Sequence, residues 1–263
     1  AEESYTTRGN GKDGQPVSYD QQGNRLTVGT AKVTNGEFSM TVSMPAEIAN
    51  NYRPGAINLY AYSTAKGKEA AGVCRQLYVY GEDYDAVPDT QAPEIEKMYL
   101  NHPSFVNGQE VNAEPVLLAR VRDDRSINMS VAGVGHAMSL SLDGGEKTWG
   151  DVADYFTPLS DGSAGGDILY PLSGLKEGYH TLTLRVWDNG PNSTSADIEF
   201  FVAPYVAPTV YEVYTDKNPV DDCANFYVVH DRPDRNVTVS VEVYNLMGRM
   251  LWKQSESGRS EMF

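Results

Sequence analysis

The chain has 263 residues, of which 40% are hydrophobic and 22% are charged, a composition typical of soluble globular proteins with two or more domains. Its 21 basic and 36 acidic residues give a formal net charge of −15, which repels phosphate backbones and anionic lipids. Because of this charge we expect no nucleic-acid partner. No run of apolar residues approaches the ~20 needed to span a bilayer, so we expect no membrane insertion by this chain.

The first part of the chain alternates apolar and polar residues with period two, which predicts β-strands. Asn35-Gly36 predicts a type I′ turn, because both central positions of that turn need positive φ angles. A second turn is expected at Lys66-Gly67-Lys68, between two paired strands. The strands are expected at 26–33, 38–42, 57–62 and 76–80. They predict a first β-sandwich module over residues 1–87.

A proline-containing linker at 88–93 separates this module from a second one, because prolines that bracket polar residues cannot continue a sheet. An immunoglobulin-like β-sandwich is predicted over residues 93–203. Its strands are expected at 95–100, 115–121, 138–142, 168–172, 180–187 and 198–202. One short helix is expected over 148–156, and another proline-containing boundary lies at 203–208.

The last module, residues 209–263, contains the alternating row Val237, Val239, Val241 and Val243, which predicts a strand with one buried face. The segment 245–248 would turn the chain back through 250–252. A sandwich needs about seven strands over ~100 residues, so this module is expected to be the first half of a domain. Its uncovered apolar face should pack on the second module or on a neighbouring molecule. The predicted fold is therefore all-β, with tandem immunoglobulin-like or fibronectin-like sandwiches, the last one incomplete.

The sequence predicts neither catalytic residues nor a bound cofactor. The four histidines lack a second histidine at metal-ligand spacing; they are His102, His136, His180 and His230. Cys74 lies within or beside a predicted strand, which is more typical of a structural thiol than of a nucleophile. Cys74 and Cys223 are compatible with a disulfide or with two idle thiols.

Two loops that directly follow strands are rich in Asp and Asn. Asp123 and Asp124 belong to the first loop, and Asp188 and Asn189 to the second. In such loops the side-chain oxygens commonly accept hydrogen bonds from the turn backbone, which is the simpler expectation. The same oxygens are calcium candidates if both loops lie at one end of the sandwich, because Ca²⁺ takes six to eight oxygen ligands. The arginines of the first loop count against calcium.

Tyrosine is abundant, with 17 copies that include Tyr60, Tyr62, Tyr78 and Tyr80. Exposed and coplanar rings would favour binding to sugars, whereas tyrosines in strands are more often half-buried sheet residues. The alternative function is therefore a glycan- or calcium-binding module of a surface adhesin or of a polysaccharide-degrading protein.

Several motifs resemble one family of proteins. Val121-Arg122-Asp123 and Val186-Trp187-Asp188-Asn189 resemble the C-terminal region of PorU-type sortases, which are gingipain-type cysteine peptidases of the type IX secretion system in Bacteroidetes. The segment 67–72 resembles the stretch that precedes that region. Asn218-Pro219 and the segment 243–249 resemble the start of a type IX C-terminal sorting-type domain.

The resemblance implies a non-catalytic region of a secreted or cell-surface cysteine peptidase, because the family's catalytic His–Cys pair belongs to a domain upstream of the matching region. The region would space, orient and anchor the peptidase and present loops to partners. The implied partners are proteins, namely secretion or surface-attachment components and cargo sorting domains. The implied location is the cell surface, the outer membrane or the extracellular space.

Overall fold

The structure is a computed structural model that describes residues 2–7, 14–22, 25–45, 54–63, 67–79, 81, 84–130, 136–145 and 147–261. Over these residues the chain is all-β, and its one helical element is the 3₁₀ turn η1 (Val152–Tyr155). No helix among the described residues is long and apolar enough to cross a membrane. The strands are β1 (Glu2–Thr6), β2 (Ser18–Gln22), β3 (Gly55–Ser63), β4 (Lys68–Leu77), β5 (Glu94–Leu100), β6 (Glu110–Val111), β7 (Val116–Arg122), β8 (Ser139–Leu142), β9 (Lys147–Trp149), β10 (Phe156–Pro158), β11 (Gly165–Pro171), β12 (Gly178–Trp187), β13 (Ser193–Val202), β14 (Val210–Thr215), β15 (Phe226–His230), β16 (Asn236–Tyr244) and β17 (Met250–Arg259).

A two-layer sandwich forms the centre of the molecule. One sheet has the antiparallel order β10-β11-β7-β5, and the other has the order β6-β13-β12-β8-β9, in which only β6 and β13 run parallel. The six strands predicted for residues 93–203 are all present, with shifted ends. Three short strands were not predicted, namely β6, β9 and β10, because two or three residues are too few to show a period.

The hydrophobic core lies between these two sheets. Buried and less buried residues alternate along β7, β8 and β11, as expected for strands that turn one face to the core. Leu117, Leu140, Ile168 and Leu184 are fully buried there. On the outward face of the first sheet, Arg120 donates two hydrogen bonds to Asp167 on the neighbouring strand.

The segment 26–33 is not a strand, contrary to the prediction. Instead it lies against the central sandwich: Val28 packs on the core, and Arg25 Nη1 donates to the carbonyl of Ala153 at 3.3 Å. Thr30 Oγ1 donates to the carbonyl of Leu159. Val28 is thus covered by the central sandwich without a partner strand, whereas Val33 stays 49% exposed. The strand expected at 38–42 is also absent.

The Asn35-Gly36 turn is confirmed. Asn35 has φ 53° and Gly36 has φ 88°, and Thr34 and Glu37 exchange two backbone hydrogen bonds across the turn. In the next hairpin β3 pairs with β4, so the predicted partner at 76–80 is wrong. Strand β4 begins at Lys68, immediately after the turn. Lys66 and Tyr80 lie outside the described residues, and the division of the chain into three modules stays a prediction.

The helix predicted over 148–156 is replaced by β9, the single 3₁₀ turn η1 and β10. Trp149 pairs with Leu140 at the edge of the second sheet, and Phe156 pairs with Ile168 at the edge of the first. The segment therefore crosses from one sheet to the other, and η1 places Val152 in the core between them. A continuous helix could not supply both edge strands.

The C-terminal part contains two separate hairpins, β14–β15 and β16–β17. Strand β16 and the turn at 245–248 are as predicted, and β17 is longer than expected. The predicted burial of the valine face is wrong within this chain: Val239 and Val243 remain 39% and 42% exposed. The opposite face carries cross-strand polar pairs such as Glu242–Lys253. The hairpin is thus amphipathic, with its apolar face open, and the incomplete sandwich stays a prediction.

Candidate functional site

The two Asp- and Asn-rich loops meet at one end of the central sandwich. They come directly after β7 and β12, which belong to different sheets. A β-bridge joins Ile127 to Asp188, and Asn128 N donates to the carbonyl of Trp187 at 2.8 Å. Asn189 N donates to the carbonyl of Ser126 at 3.1 Å. The structure therefore brings together two loops that are about 60 residues apart in sequence.

Within each loop an aspartate closes the turn, as the simpler prediction states. Asp123 Oδ2 accepts hydrogen bonds from the backbone N–H groups of Arg125 and Ser126 at 2.9 and 2.7 Å. Both carboxylate oxygens of Asp188, which is 0% exposed, accept hydrogen bonds from Asn192. These bonds hold the loops in place and leave the second oxygen of Asp123 free for another partner.

A third acidic side chain comes from the linker that precedes the sandwich. One carboxylate oxygen each from Asp89, Asp123 and Asp124 lie within 4.8 Å of one another. Arg125 approaches from one side: its Nε lies 3.5 Å from Asp89 Oδ2, and its Nη1 donates to the carbonyl of Val87. We call Asp89, Asp123 and Asp124 the carboxylate cluster.

Burial dominates the electrostatics of Asp123. It raises the pKa of Asp123 above its usual range, and the charges of Asp124 and Asp188 act in the same direction, although the two backbone hydrogen bonds oppose them. Asp123 Oδ1 and Asn189 Oδ1 are buried and accept no hydrogen bond from any described residue. Asn189 is 6% exposed and uses its amide nitrogen to donate to the carbonyl of Ser43 at 2.5 Å. Two buried oxygens without donors are unusual in a folded protein.

The prediction from sequence therefore found part of this site. Asp123 and Asp124 lie in the cluster, whereas Asp188 and Asn189 lie in the adjoining loop, and Asp188 has both oxygens occupied by Asn192. Asp89 was missed, because an aspartate between prolines is typical of a linker. Only the return of the linker onto the loops, where Asn192 Nδ2 donates to the carbonyl of Asp89, shows its place.

The histidines and cysteines have structural surroundings. His102 contacts Ser104 and stacks on Tyr211, His136 packs on Trp187, His180 pairs with Asp143, and His230 accepts from the backbone of Arg232. Cys74 and Cys223 are both exposed and free, so they do not form the disulfide that the sequence left open.

An exposed pair of tyrosines lies on the β3–β4 hairpin. Tyr60 and Tyr62 occupy the same face of β3, are 63% and 68% exposed, and stack with ring centroids 6.2 Å apart at an interplanar angle of 26°. The hydrogen bond from Tyr60 to Glu69 raises the pKa of the Tyr60 hydroxyl. These tyrosines are thus not the half-buried sheet residues of the simpler prediction. Tyr78 is exposed as well.

Comparison with solved structures found similarity to dimeric latent PorU from Porphyromonas gingivalis, with 31% sequence identity over 99% of this chain and 24% of that chain, and a TM-score of 0.48. The chain thus spans about a quarter of that protein. The sequence identity supports a PorU-like relationship for this chain. The assignment to the C-terminal region of such a protein stays a prediction. No family model matches the sequence, and no curated protein does.

Proposed function

We propose that this chain is a non-catalytic spacer and anchoring region of a PorU-like cysteine peptidase at the cell surface, in the outer membrane or outside the cell. The observation that carries this proposal is the path of the chain through the central sandwich. The chain enters at Glu94, which pairs with Arg122 at the end where the Asp-rich loops lie. It leaves after Val202, which pairs with Gly178 at the opposite end of β12. A module of this kind separates its N-terminal and C-terminal neighbours by the length of the sandwich.

Contacts with both flanking segments support a fixed spacing. On the N-terminal side, Arg25 and Thr30 donate to carbonyls of the sandwich. On the C-terminal side, His102 stacks on Tyr211 with ring centroids 4.0 Å apart, and Glu114 forms an ion pair with Arg235. Because these contacts involve side chains on both sides of each junction, the junctions resist bending more than a bare polypeptide linker would.

The spacer role is tested by small-angle scattering and amide hydrogen exchange on the whole chain. The wild type should behave as one extended particle with a narrow distribution of maximum dimensions. Tyr211→Ala should broaden that distribution and speed exchange in β14 and β15, whereas Tyr84→Ala, which removes a tyrosine that is 90% exposed, should change neither. Freely moving ends in the wild type would overturn the proposal.

The proposal of a PorU-like parent protein is tested by the sequence of the gene and by a peptidase assay. The reading frame upstream of this segment should encode a peptidase domain, and the chain alone should hydrolyse no peptide substrate. Hydrolysis that disappears in Cys74→Ala would refute the non-catalytic role.

We further propose cargo sorting domains or surface-attachment components as partners. A purified type IX sorting-type domain should therefore bind the immobilised chain, and absence of binding would remove that partner.

A second candidate function is binding to a glycan, and the Tyr60–Tyr62 pair favours it. Two exposed rings on one strand face, beside the carboxylate of Glu69, combine a stacking surface for sugar rings with a hydrogen-bond acceptor. Binding of soluble polysaccharides should then be lost in Tyr62→Ala and kept in Tyr179→Ala, which removes an exposed tyrosine of the central sandwich. Equal binding by both variants would exclude this surface.

A further inference from the structure

We propose that His180 is a pH-sensitive pin, which in its protonated form holds the loop between β11 and β12 at the end of the sandwich where the chain leaves. We call this loop, residues 172–177, the exit loop. His180 lies near the start of β12, in the inward row of that strand, and its side chain is 10% exposed. Its two ring nitrogens contact two different segments of the chain.

Both of these contacts are to hydrogen-bond acceptors. Nδ1 of His180 lies 2.7 Å from Oδ2 of Asp143, in the turn after β8, and Nε2 lies 2.8 Å from the carbonyl oxygen of Lys176, in the exit loop. A neutral imidazole carries one N–H group, so it can donate to one of these oxygens and not to both. The imidazolium carries two N–H groups and donates to both. The two hydrogen bonds therefore exist together when His180 is protonated.

The carboxylate of Asp143 favours this proton. Burial raises the pKa of Asp143, but hydrogen bonds from Thr181 N–H and from His180, with the charge of His180, bring it below its usual value. Coupling between two charged groups is mutual, so ionised Asp143 stabilises the imidazolium in return. From β13, the uncharged ring of Phe200 faces the imidazole, with centroids 5.7 Å apart.

The exit loop forms one wall of a cavity at the junction with the C-terminal part. The cavity has a volume of about 400 Å³, and Leu175 and Glu177 of the loop line it together with Ala203, Tyr205 and Arg232. Lys176 lies between the two lining residues of the loop, with its side chain and that of Glu177 exposed. A hydrogen bond at the Lys176 carbonyl thus fixes the position of this wall. His180 connects a titratable group of the sandwich to the junction.

Loss of the proton would release this contact. If Nδ1 of His180 keeps its hydrogen atom toward Asp143, Nε2 presents a lone pair to the carbonyl oxygen of Lys176, and two acceptors at hydrogen-bond distance repel each other. The part of the exit loop at 175–177 would then separate from β12. Deprotonation of His180 would therefore loosen the wall of the cavity.

The exit loop is built so that its second half can move without the first. Gly174 and Gly178 flank the segment 175–177 and have φ angles of 66° and 132°, and glycine reaches other backbone conformations at low cost. The first half has a separate contact, because Lys147 Nζ donates to the carbonyl of Ser173 at 2.7 Å. This second contact does not involve His180.

Titration of the His180 ring protons by NMR in the whole chain gives the first test. An unfolded histidine titrates near pH 6.5, and His180 should titrate above that value. Its stabilising effect is then complete below about pH 6.5 and is lost as the pH rises through the folded midpoint. Asp143→Asn should lower the midpoint, and asparagine tolerates the φ of 51° at this position. A wild-type midpoint at or below about 6.5, or one that this variant leaves unchanged, would overturn the proposal.

Amide hydrogen exchange tests the exit loop itself. Protection at 175–177, corrected for the intrinsic effect of pH, should fall between about pH 5.5 and pH 8.5, by about tenfold for each pH unit that separates the midpoint of His180 from 6.5. His180→Gln should abolish this pH dependence. Lys147→Gln, which removes the other contact of the loop, is the matched control and should lower protection equally at every pH. Protection that does not change with pH in the wild type, or that still changes in His180→Gln, would refute the pin.

Discussion

Replacement of Gly166 by alanine tests how tightly the edge strand β10 is packed. Gly166 lies on β11 opposite Pro158 of β10. A Cβ atom at this position would lie 2.5 Å from the carbonyl oxygen of Thr157 and 2.7 Å from Cε1 of Phe156. Carbon atoms in contact normally stay ~3.5–4.0 Å apart, so β10 would have to move away by about 1 Å.

The cost of the substitution can be worked out from these distances. Overpacking of a core site lowers the free energy of unfolding by about 1–3 kcal/mol. Alanine also reduces the conformational entropy of the unfolded chain, which raises the free energy of unfolding by about 0.4–1 kcal/mol. We therefore expect a net loss of roughly 1–2 kcal/mol, which corresponds to a fall in Tm of about 4–8 °C for a domain of about 100 residues. Because Leu159 comes directly after β10 and accepts the hydrogen bond of Thr30, amide exchange should also increase in the segment 25–30.

Differential scanning calorimetry and amide hydrogen exchange measure both effects. Gly150→Ala is the matched control, because Gly150 is exposed and a Cβ atom there has no neighbour within 4 Å. This control should match the wild type or exceed it slightly in stability. If Gly166→Ala were as stable as Gly150→Ala, with unchanged exchange at 25–30, the packing argument would be refuted.

Two further predictions concern polar contacts of the sandwich. Asn101 has φ 61° and accepts a buried hydrogen bond from Val116 N at 2.9 Å. Asn101→Ala should therefore lower the free energy of unfolding, measured with denaturant, by about 2–3 kcal/mol. Asn101→Gly should lower it less, because glycine relieves the backbone strain, and equal losses would count against that strain. Burial alone would raise the pKa of Asp143, but hydrogen bonds from Thr181 N–H and from His180, with the charge of His180, lower it below the usual value. Stability from such a carboxylate is present above its unfolded pKa of about 4 and is lost as the pH falls through the lower folded pKa. In Asp143→Asn the free energy of unfolding should therefore fall less steeply with decreasing pH in that range. Parallel pH curves for the two proteins would contradict this reasoning.

The strands of the central sandwich could be predicted because each turns one face to the core. The alternation along β7 and β12 records this directly, and the Asn35-Gly36 turn is explained by the positive φ angles that these two residues tolerate. The same alternation predicted a strand at 26–33, where the structure has no strand and packs Val28 against the central sandwich. A periodic pattern indicates an apolar face, but only the tertiary structure shows whether that face is covered and by what.

The amino-acid sequence was enough to predict that this protein is all-β and that aspartates close its loops after β7 and β12. These features depend on neighbours in the chain, so local chemistry specifies them. The three-dimensional packing was needed to show that the two loops meet, that Asp89 returns from the linker to join Asp123 and Asp124, and that the chain enters and leaves the sandwich at opposite ends. Those relations join segments far apart in sequence, and the packing of two sheets around one core sets them.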